Sequence, residues 1–218
     1  MPNAGVPLGK QVIVIGVLAL QGDFAEHLVV LHRLGVEGRE VRMPSDLIGV
    51  AGLIIPGGES TTISRLMDQW GMREPITRLA GNGMPIWGTC AGLILTAKHI
   101  VDDPIVSLGL LDVDVQRNAY GSQIDSFETF LAFETPLGIE AFGKAPMPAV
   151  FIRAPVIRRV GPSVAVLART SDGTPVAVKQ GNLLGSSFHP ELTPDTRFHV
   201  HLVNLAKEHV RVSNVEGL

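Results

Sequence analysis

Two rhythms of apolar and polar positions run along this chain, and they exchange near its midpoint. Gln11 to Leu20 is a continuous apolar, β-branched run, the pattern of a strand buried on both faces. Gln21-Gly22-Asp23 breaks it. Phe24, Leu28, Leu31 and Leu34 then recur at helical spacing, with Asp23 placed to cap the helix and Gly35 to close it. Gly38 to Met43 and Ala51 to Ile55 read as further strands, the second ended by Pro56-Gly57-Gly58. A helix opens at Ser60, Thr61 or Thr62 and runs to about Trp70, and Met72 to Asn82 is predicted as another. A strand at Met84-Pro85-Ile86-Trp87 and a helix from Ala91 follow. This βα repetition predicts a parallel sheet with helices on both faces.

From Val106 the pattern shortens. Val106 to Gln116, Phe127 to Phe133, Val150 to Arg153, Val164 to Thr170, Pro175 to Lys179 and Leu183 to Phe188 read as strands. Several are separated by Gly, Pro or Asp turns, which predicts antiparallel additions to the sheet. Thr193-Pro194-Asp195 is placed to cap a final helix reaching about Val210. No repeat or linker divides the chain. The expected organisation is a flexible tail over residues 1–10 and one α/β domain over residues 11–218.

Composition narrows the function classes. With 218 residues and 45% of them hydrophobic, the chain can bury a sizeable core. The net charge is −3 with both signs interspersed, so no nucleic-acid patch or polybasic membrane arm is expected. Arg153, Arg158 and Arg159 form the densest basic group, too short to change that reading. The longest apolar run, Val12 to Leu20, is about half of the roughly 20 residues a membrane span needs. Met1 to Gly9 lacks the charged and apolar regions of a signal peptide. A single cysteine forms no internal disulfide, and the expected compartment is the reducing cytoplasm.

That cysteine, Cys90, lies in Gly88-Thr89-Cys90-Ala91-Gly92, between a predicted strand and a predicted helix. A thiol at such a turn is exposed at a sheet end and sits near a helix N-terminus, which favours the nucleophilic thiolate. The backbone N–H of Ala91 would face a developing oxyanion. Taken alone, Cys90 is equally well a small buried hydrophobe. His189-Pro190-Glu191 follows another strand and offers a base with a carboxylate beside it, though a surface His and Glu at a helix start fit the same residues. Pro56-Gly57-Gly58-Glu59-Ser60-Thr61-Thr62 also joins a strand to a helix, and its glycines expose N–H groups suited to an anion. All three segments follow strands, so all three fall on one edge of a parallel sheet. A Cys, a His and a Glu on one edge make a thiol-based acyl-transfer site. The other histidines compete poorly: His199 and His201 point in different directions on a helix, and His27, His32, His99 and His209 lie on predicted helices without ligand-like neighbours.

These motifs resemble the class I (triad) glutamine amidotransferases. Gly16-Val17-Leu18-Ala19-Leu20-Gln21-Gly22, the Pro56 and Gly88 segments, Arg117-Asn118-Ala119-Tyr120-Gly121-Ser122-Gln123, Phe151-Ile152-Arg153-Ala154-Pro155 and Ser187-Phe188-His189-Pro190-Glu191-Leu192-Thr193 look like the glutaminase subunits of pyridoxal 5′-phosphate synthases. The resemblance runs from about Val12 to Ala206. It implies a three-layer, flavodoxin-like fold with a mainly parallel central sheet and antiparallel additions. It implies hydrolysis of L-glutamine to glutamate and ammonia through a glutamyl thioester, with the ammonia used for vitamin B6 synthesis. Cys90 would be the nucleophile, His189 the acid and base, and Glu191 its orienter. Gly58 and Ala91 would form the oxyanion hole. Gly58, Glu59, Ser60, Arg117, Ile152 and Arg153 would hold glutamine. The implied partner is a TIM-barrel synthase subunit, docking near Gln21 and Gly22. No metal or organic cofactor is implied. Another Cys-nucleophile α/β enzyme, either a different triad amidotransferase or a Cys peptidase, and a non-catalytic scaffold or regulatory subunit are the competing classes.

Overall fold

In a computed structural model, residues 12–117, 126–133 and 135–216 are described. The expected tail over residues 1–10 and the Asn118–Gln123 part of the Arg117 motif lie outside them. The β-strands are β1 (Val14–Leu18), β2 (Glu37–Val41), β3 (Gly52–Ile55), β4 (Ile86–Thr89), β5 (Ala97–Ile100), β6 (Leu111–Gln116), β7 (Ser126–Leu131), β8 (Met147–Ile152), β9 (Val156–Val160), β10 (Ala165–Arg169), β11 (Pro175–Gln180) and β12 (Leu183–Ser186). The α-helices are α1 (Phe24–Arg33), α2 (Ser60–Gln69), α3 (Arg73–Gly81), α4 (Ala91–Thr96), α5 (Pro136–Phe142) and α6 (Arg197–Glu216).

Among the described residues the central sheet has seven strands in the order β10-β11-β12-β4-β3-β1-β2. β12, β4, β3, β1 and β2 pair in parallel, while β10 and β11 extend the sheet antiparallel. This is the expected mainly parallel sheet with antiparallel additions. Not all the later strands join it: β5, β6 and β9 form a three-stranded sheet, and β7 pairs with β8. The alternation along β6 and β8, buried at every second residue, is that of strands with one covered face.

Period-two alternation decides which helices cover which face. Ile15, Val17, Ile54, Trp87 and Leu184 pack with residues of α1 and α6, including Leu31, Phe198 and Leu202. Leu53, Ile55 and Ile86 point the other way, onto Ile63, Met67, Ile76 and Leu95 of α2, α3 and α4. Side chains of this size contribute about 1.5–3 kcal/mol each when fully buried.

Several local expectations change. β9, α5 and β5 escape the apolar pattern; β5 follows α4 directly, so His99 stands on a strand and not on a helix. The buried face of α1 is His27, Val30 and Leu31, with Phe24 and Leu28 only half-covered. Asp23 sits at the helix N-cap position but makes no side-chain capping bond. Helix α2 is capped by Glu59, not by a hydroxyl: its carboxylate accepts the N–H groups of Thr61 and Thr62. Gly35 does close α1, with φ +67°.

Candidate active site

Register places the three segments together. Ile55 of β3 pairs with Gly88 of β4, and Thr89 pairs with Ser186 of β12. The loops leaving these adjacent parallel strands carry Gly57-Gly58, Cys90 and His189, as the sequence pattern predicts. They border a cavity of about 340 Å³ lined by Gln21, Gly22, Asp23, Gly58, Glu59, Ser60, Cys90, Arg117, Ile152, Arg153 and His189. Ala91 and Glu191 are not on its wall. Ala91 is the buried first residue of α4, immediately after Cys90, and Glu191 is buried behind His189.

Cys90 is held in an unusual backbone conformation, φ 48° and ψ −103°. A non-glycine residue in the left-handed region is strained, and such strain concentrates at functional turns. The turn is pinned by the Cys90 N–H, which donates to the Ser186 carbonyl at 2.8 Å. It also requires Gly92: a Cβ there would stand 1.8 Å from the Ile55 carbonyl oxygen. Strand β3 and helix α4 therefore pack backbone to backbone beneath the thiol. Cys90 Sγ lies 3.8 Å from the Ile152 carbonyl oxygen, to which it donates.

His189 Nδ1 is 2.7 Å from Glu191 Oε1 and 3.4 Å from Asp23 Oδ2. Its other nitrogen, Nε2, is buried without a hydrogen bond among the described residues. Burial opposes charge on this imidazole, but Asp23, Cys90 and Glu191 outweigh it and push its pKa up to about 12. Burial pushes the Glu191 carboxyl upward, while His189 pulls it back. The Asp23 carboxyl is held low, chiefly by its bond to His189. Asp23, His189 and Glu191 offer ligand atoms within 4.8 Å of one another. The 2.7 Å Nδ1–Oε1 separation is nonetheless a hydrogen bond, shorter than the about 3.3 Å that two nitrogen or oxygen ligands keep on one tetrahedral ion.

Glu59 and Arg117 frame the mouth of the cavity. Partial burial works against the Glu59 charge, but donors from Thr62 and Thr61 hold its carboxyl down at about 2. Arg117 pairs with Asp103 at 2.8 Å and with Glu59 at 3.5 Å. Arg117, one of the residues expected to hold glutamine, is thus itself oriented by two acids, one of which, Asp103, lies outside the motifs. Arg153 also has a positive φ, 42°.

Two histidines set aside on sequence grounds belong behind the site. His27 and His199 are both fully buried, with His27 Nδ1 2.9 Å from His199 Nε2. His27 Nε2 is 3.5 Å from Glu191 Oε2. The signal for them was weak: His27 stands four residues after Asp23, on the helix that leaves the Gln21-Gly22 turn. His201 does point elsewhere, packing on the Phe142 ring at 5.1 Å.

The SNO glutamine amidotransferase family matches residues 17–208. The chain belongs to that family. Among curated relatives of this glutamine amidotransferase, the pyridoxal 5′-phosphate synthase subunit PdxT of Dehalococcoides mccartyi is 53% identical over 195 residues, spanning 88% of this chain and 97% of that one. The protein of the same name from Leifsonia xyli is 53% identical over 200 residues, spanning 91% and 97%. A crystal structure described as a glutamine amidotransferase superposes with a TM-score of 0.81 at 48% identity, covering 88% of this chain and 98% of that one. A chain of PurLQS from Thermotoga maritima, at 17% identity and a TM-score of 0.65 over 91% of this chain and 97% of that one, shares the fold.

Proposed function

We propose that this amidotransferase hydrolyses L-glutamine to L-glutamate and ammonia, and that the ammonia supplies a pyridoxal 5′-phosphate synthase. The observation that carries the chemistry is the cavity in which Cys90 and His189 share a wall while Glu191 holds His189 from behind at 2.7 Å. Cys90 gives its thiol proton to His189, and the sulfur then attacks the side-chain amide carbon of glutamine. The carbonyl oxygen gains the negative charge, against the backbone N–H groups of Ala91 and Gly58. His189, protonated, gives its proton to the departing nitrogen; the C–N bond breaks, ammonia leaves and a glutamyl thioester remains. His189 then takes a proton from water, the hydroxide attacks the thioester, and the C–S bond breaks to give glutamate and the thiolate. Glu191 fixes the His189 tautomer and stabilises its imidazolium.

The substrate's charged end fits the mouth. Arg117, preset by Asp103, and the Ile152–Arg153 segment receive the α-carboxylate, while the Glu59 anion and Ser60 receive the α-ammonium. The partner is the TIM-barrel synthase subunit, docking beside Gln21 and Gly22. A single cysteine, which can form no internal disulfide, fits the reducing cytoplasm; no helix among the described residues is long and apolar enough to cross a membrane. The deciding experiment measures ammonia release from glutamine with and without the cognate synthase. Release that rises with the synthase and vanishes in Cys90→Ala is expected. Peptide cleavage without glutamine turnover would replace this reading.

A further inference from the structure

The buried carboxylate of Glu191 poses a problem of satisfaction. Oε1 serves His189, while Oε2 has no hydrogen bond among the described residues. A buried carboxylate oxygen without a donor is costly, and the group facing it is His27 Nε2 at 3.5 Å. Behind His27 lies His199, whose Nδ1 is buried and also without a hydrogen bond. We propose that His27 and His199 form an imidazole pair that positions Glu191, with His27 donating from Nε2–H to Glu191 Oε2 and accepting at Nδ1 from His199 Nε2–H. The inference rests on the glutaminase reading, because it assigns both histidines a part in aligning the proposed base.

The tautomers follow from the geometry. One proton lies between His27 Nδ1 and His199 Nε2, 2.9 Å apart. If it belonged to His27, the bare His27 Nε2 lone pair would face the Glu191 carboxylate, and His199 would bury an N–H donor at Nδ1 with nothing to receive it. If it belongs to His199, every N–H in the chain of rings has an acceptor, and only a lone pair on His199 Nδ1 goes unpaired. An unpaired buried acceptor is the more readily tolerated of the two. Thr89 Oγ1, 3.4 Å from His27 Nε2, serves as a second acceptor for the same proton. Trp87 packs edge-on against both rings, with centroids 5.5 Å from His27 and 5.0 Å from His199, so neither ring is free to turn. Burial keeps both imidazoles neutral, lowering His199 to about 3.

The consequence reaches the reacting atoms through helix α1. His27 steadies Glu191, and Asp23, one turn earlier at the start of the same helix, meets His189 Nδ1 at 3.4 Å. One helix thus touches both members of the His189–Glu191 pair. His27 and His199 touch no reacting atom; they are positioning residues.

The test uses the full chain with its cognate synthase and two substitutions. His27→Leu keeps the volume and removes the donor; His27→Gln restores a donor at the Nε2 position. In His27→Leu, kcat is expected to fall about tenfold with KM for glutamine unchanged, and Cys90 alkylation by iodoacetamide to slow comparably, with His27→Gln recovering most of both. Ring-nitrogen NMR of the wild-type chain should show His27 protonated at Nε2 and bare at Nδ1. A His27→Leu enzyme that loses thermal stability but keeps kcat and alkylation rate, or a His27 protonated at Nδ1, would overturn the proposal. Absent glutamine turnover in the wild type would instead sink the glutaminase reading. Alkylation and NMR would still judge the histidine pair.

Discussion

Gln21 Oε1 accepts the backbone N–H of Glu59 at 2.7 Å, so the turn after β1 and the loop after β3 are one mechanical unit. The Asp23 N–H reinforces it by donating to the Gly57 carbonyl at 3.1 Å. Whatever moves the Gln21-Gly22 turn moves the loop that carries Gly58.

Coupling through that unit is the first expectation. Gly22 has φ +103°, and a Cβ on it would stand 1.8 Å from the Gly57 carbonyl oxygen. Gly22→Pro, which also forces φ negative, should abolish the stimulation of hydrolysis by the synthase, and Gln21→Ala should weaken it several-fold. Rates with and without synthase measure this. Full stimulation in Gly22→Pro would detach the turn from activation.

Each proposed catalytic group has its own signature. Cys90→Ala and His189→Asn should each lower kcat by about a thousandfold or more. Glu191→Gln should retain partial activity, roughly a hundredfold below wild type, because an amide oxygen still accepts from His189 Nδ1–H but no longer balances an imidazolium. Single-turnover formation of the glutamyl thioester locates the loss. A fully active His189→Asn protein would remove His189 from the mechanism.

Arg117 should act on binding more than on chemistry. Asp103 anchors it at 2.8 Å, so Asp103→Asn should raise KM for glutamine several-fold with kcat little changed, and Arg117→Ala should raise it further. Steady-state kinetics decide. A loss confined to kcat would mean that Arg117 does not meet the substrate carboxylate.

Acid stability should fall in two stages. Burial holds His27 and His199 below the ordinary 6.5, so the unfolded chain binds protons that the folded chain refuses. Their contribution is fully present above pH 6.5 and declines as pH drops, by on the order of 1 kcal/mol per pH unit for each group. His189, raised to about 12, is protonated in both states below 6.5 and adds no slope there. The Glu59 contribution, present above 4.5, is lost on the way down to about 2. Glu191, raised by burial, works against this slope above 4.5, because the folded carboxyl holds a proton that the unfolded one releases; in urea unfolding between pH 4 and 7, His199→Gln should make the slope less positive than in the wild type. An unchanged slope would mean that His199 does not titrate with unfolding.

Two glycines separate packing from conformational entropy. Gly92→Ala drives a methyl group into the Ile55 carbonyl and should cost roughly 3 kcal/mol or more, with loss of activity because the same turn carries Cys90. Gly81→Ala, at the exposed end of α3 with open space around it, should stabilise by about 0.5–1 kcal/mol. Denaturant midpoints measure both.

The sequence by itself determined the βα order, the parallel sheet and the shared edge that carries Gly58, Cys90 and His189. Those features are written locally: β-branched runs make strands, glycines mark turns, and parallel strands put their following loops on one side. Where an element lacked such a pattern it went unread, as with β9, whose Arg158 and Arg159 interrupt the apolar run, and α5, opened by Thr135 and Pro136. Tertiary structure alone decided the second layer of the site. Asp23 looks like a helix cap and instead reaches His189, and Glu59 looks like a substrate ligand and also caps α2. His27 and His199, 172 residues apart, meet only because α1 and α6 pack on the same face of the sheet. A buried polar side chain takes its meaning from its partner, and no rule of spacing brings distant partners together; packing does.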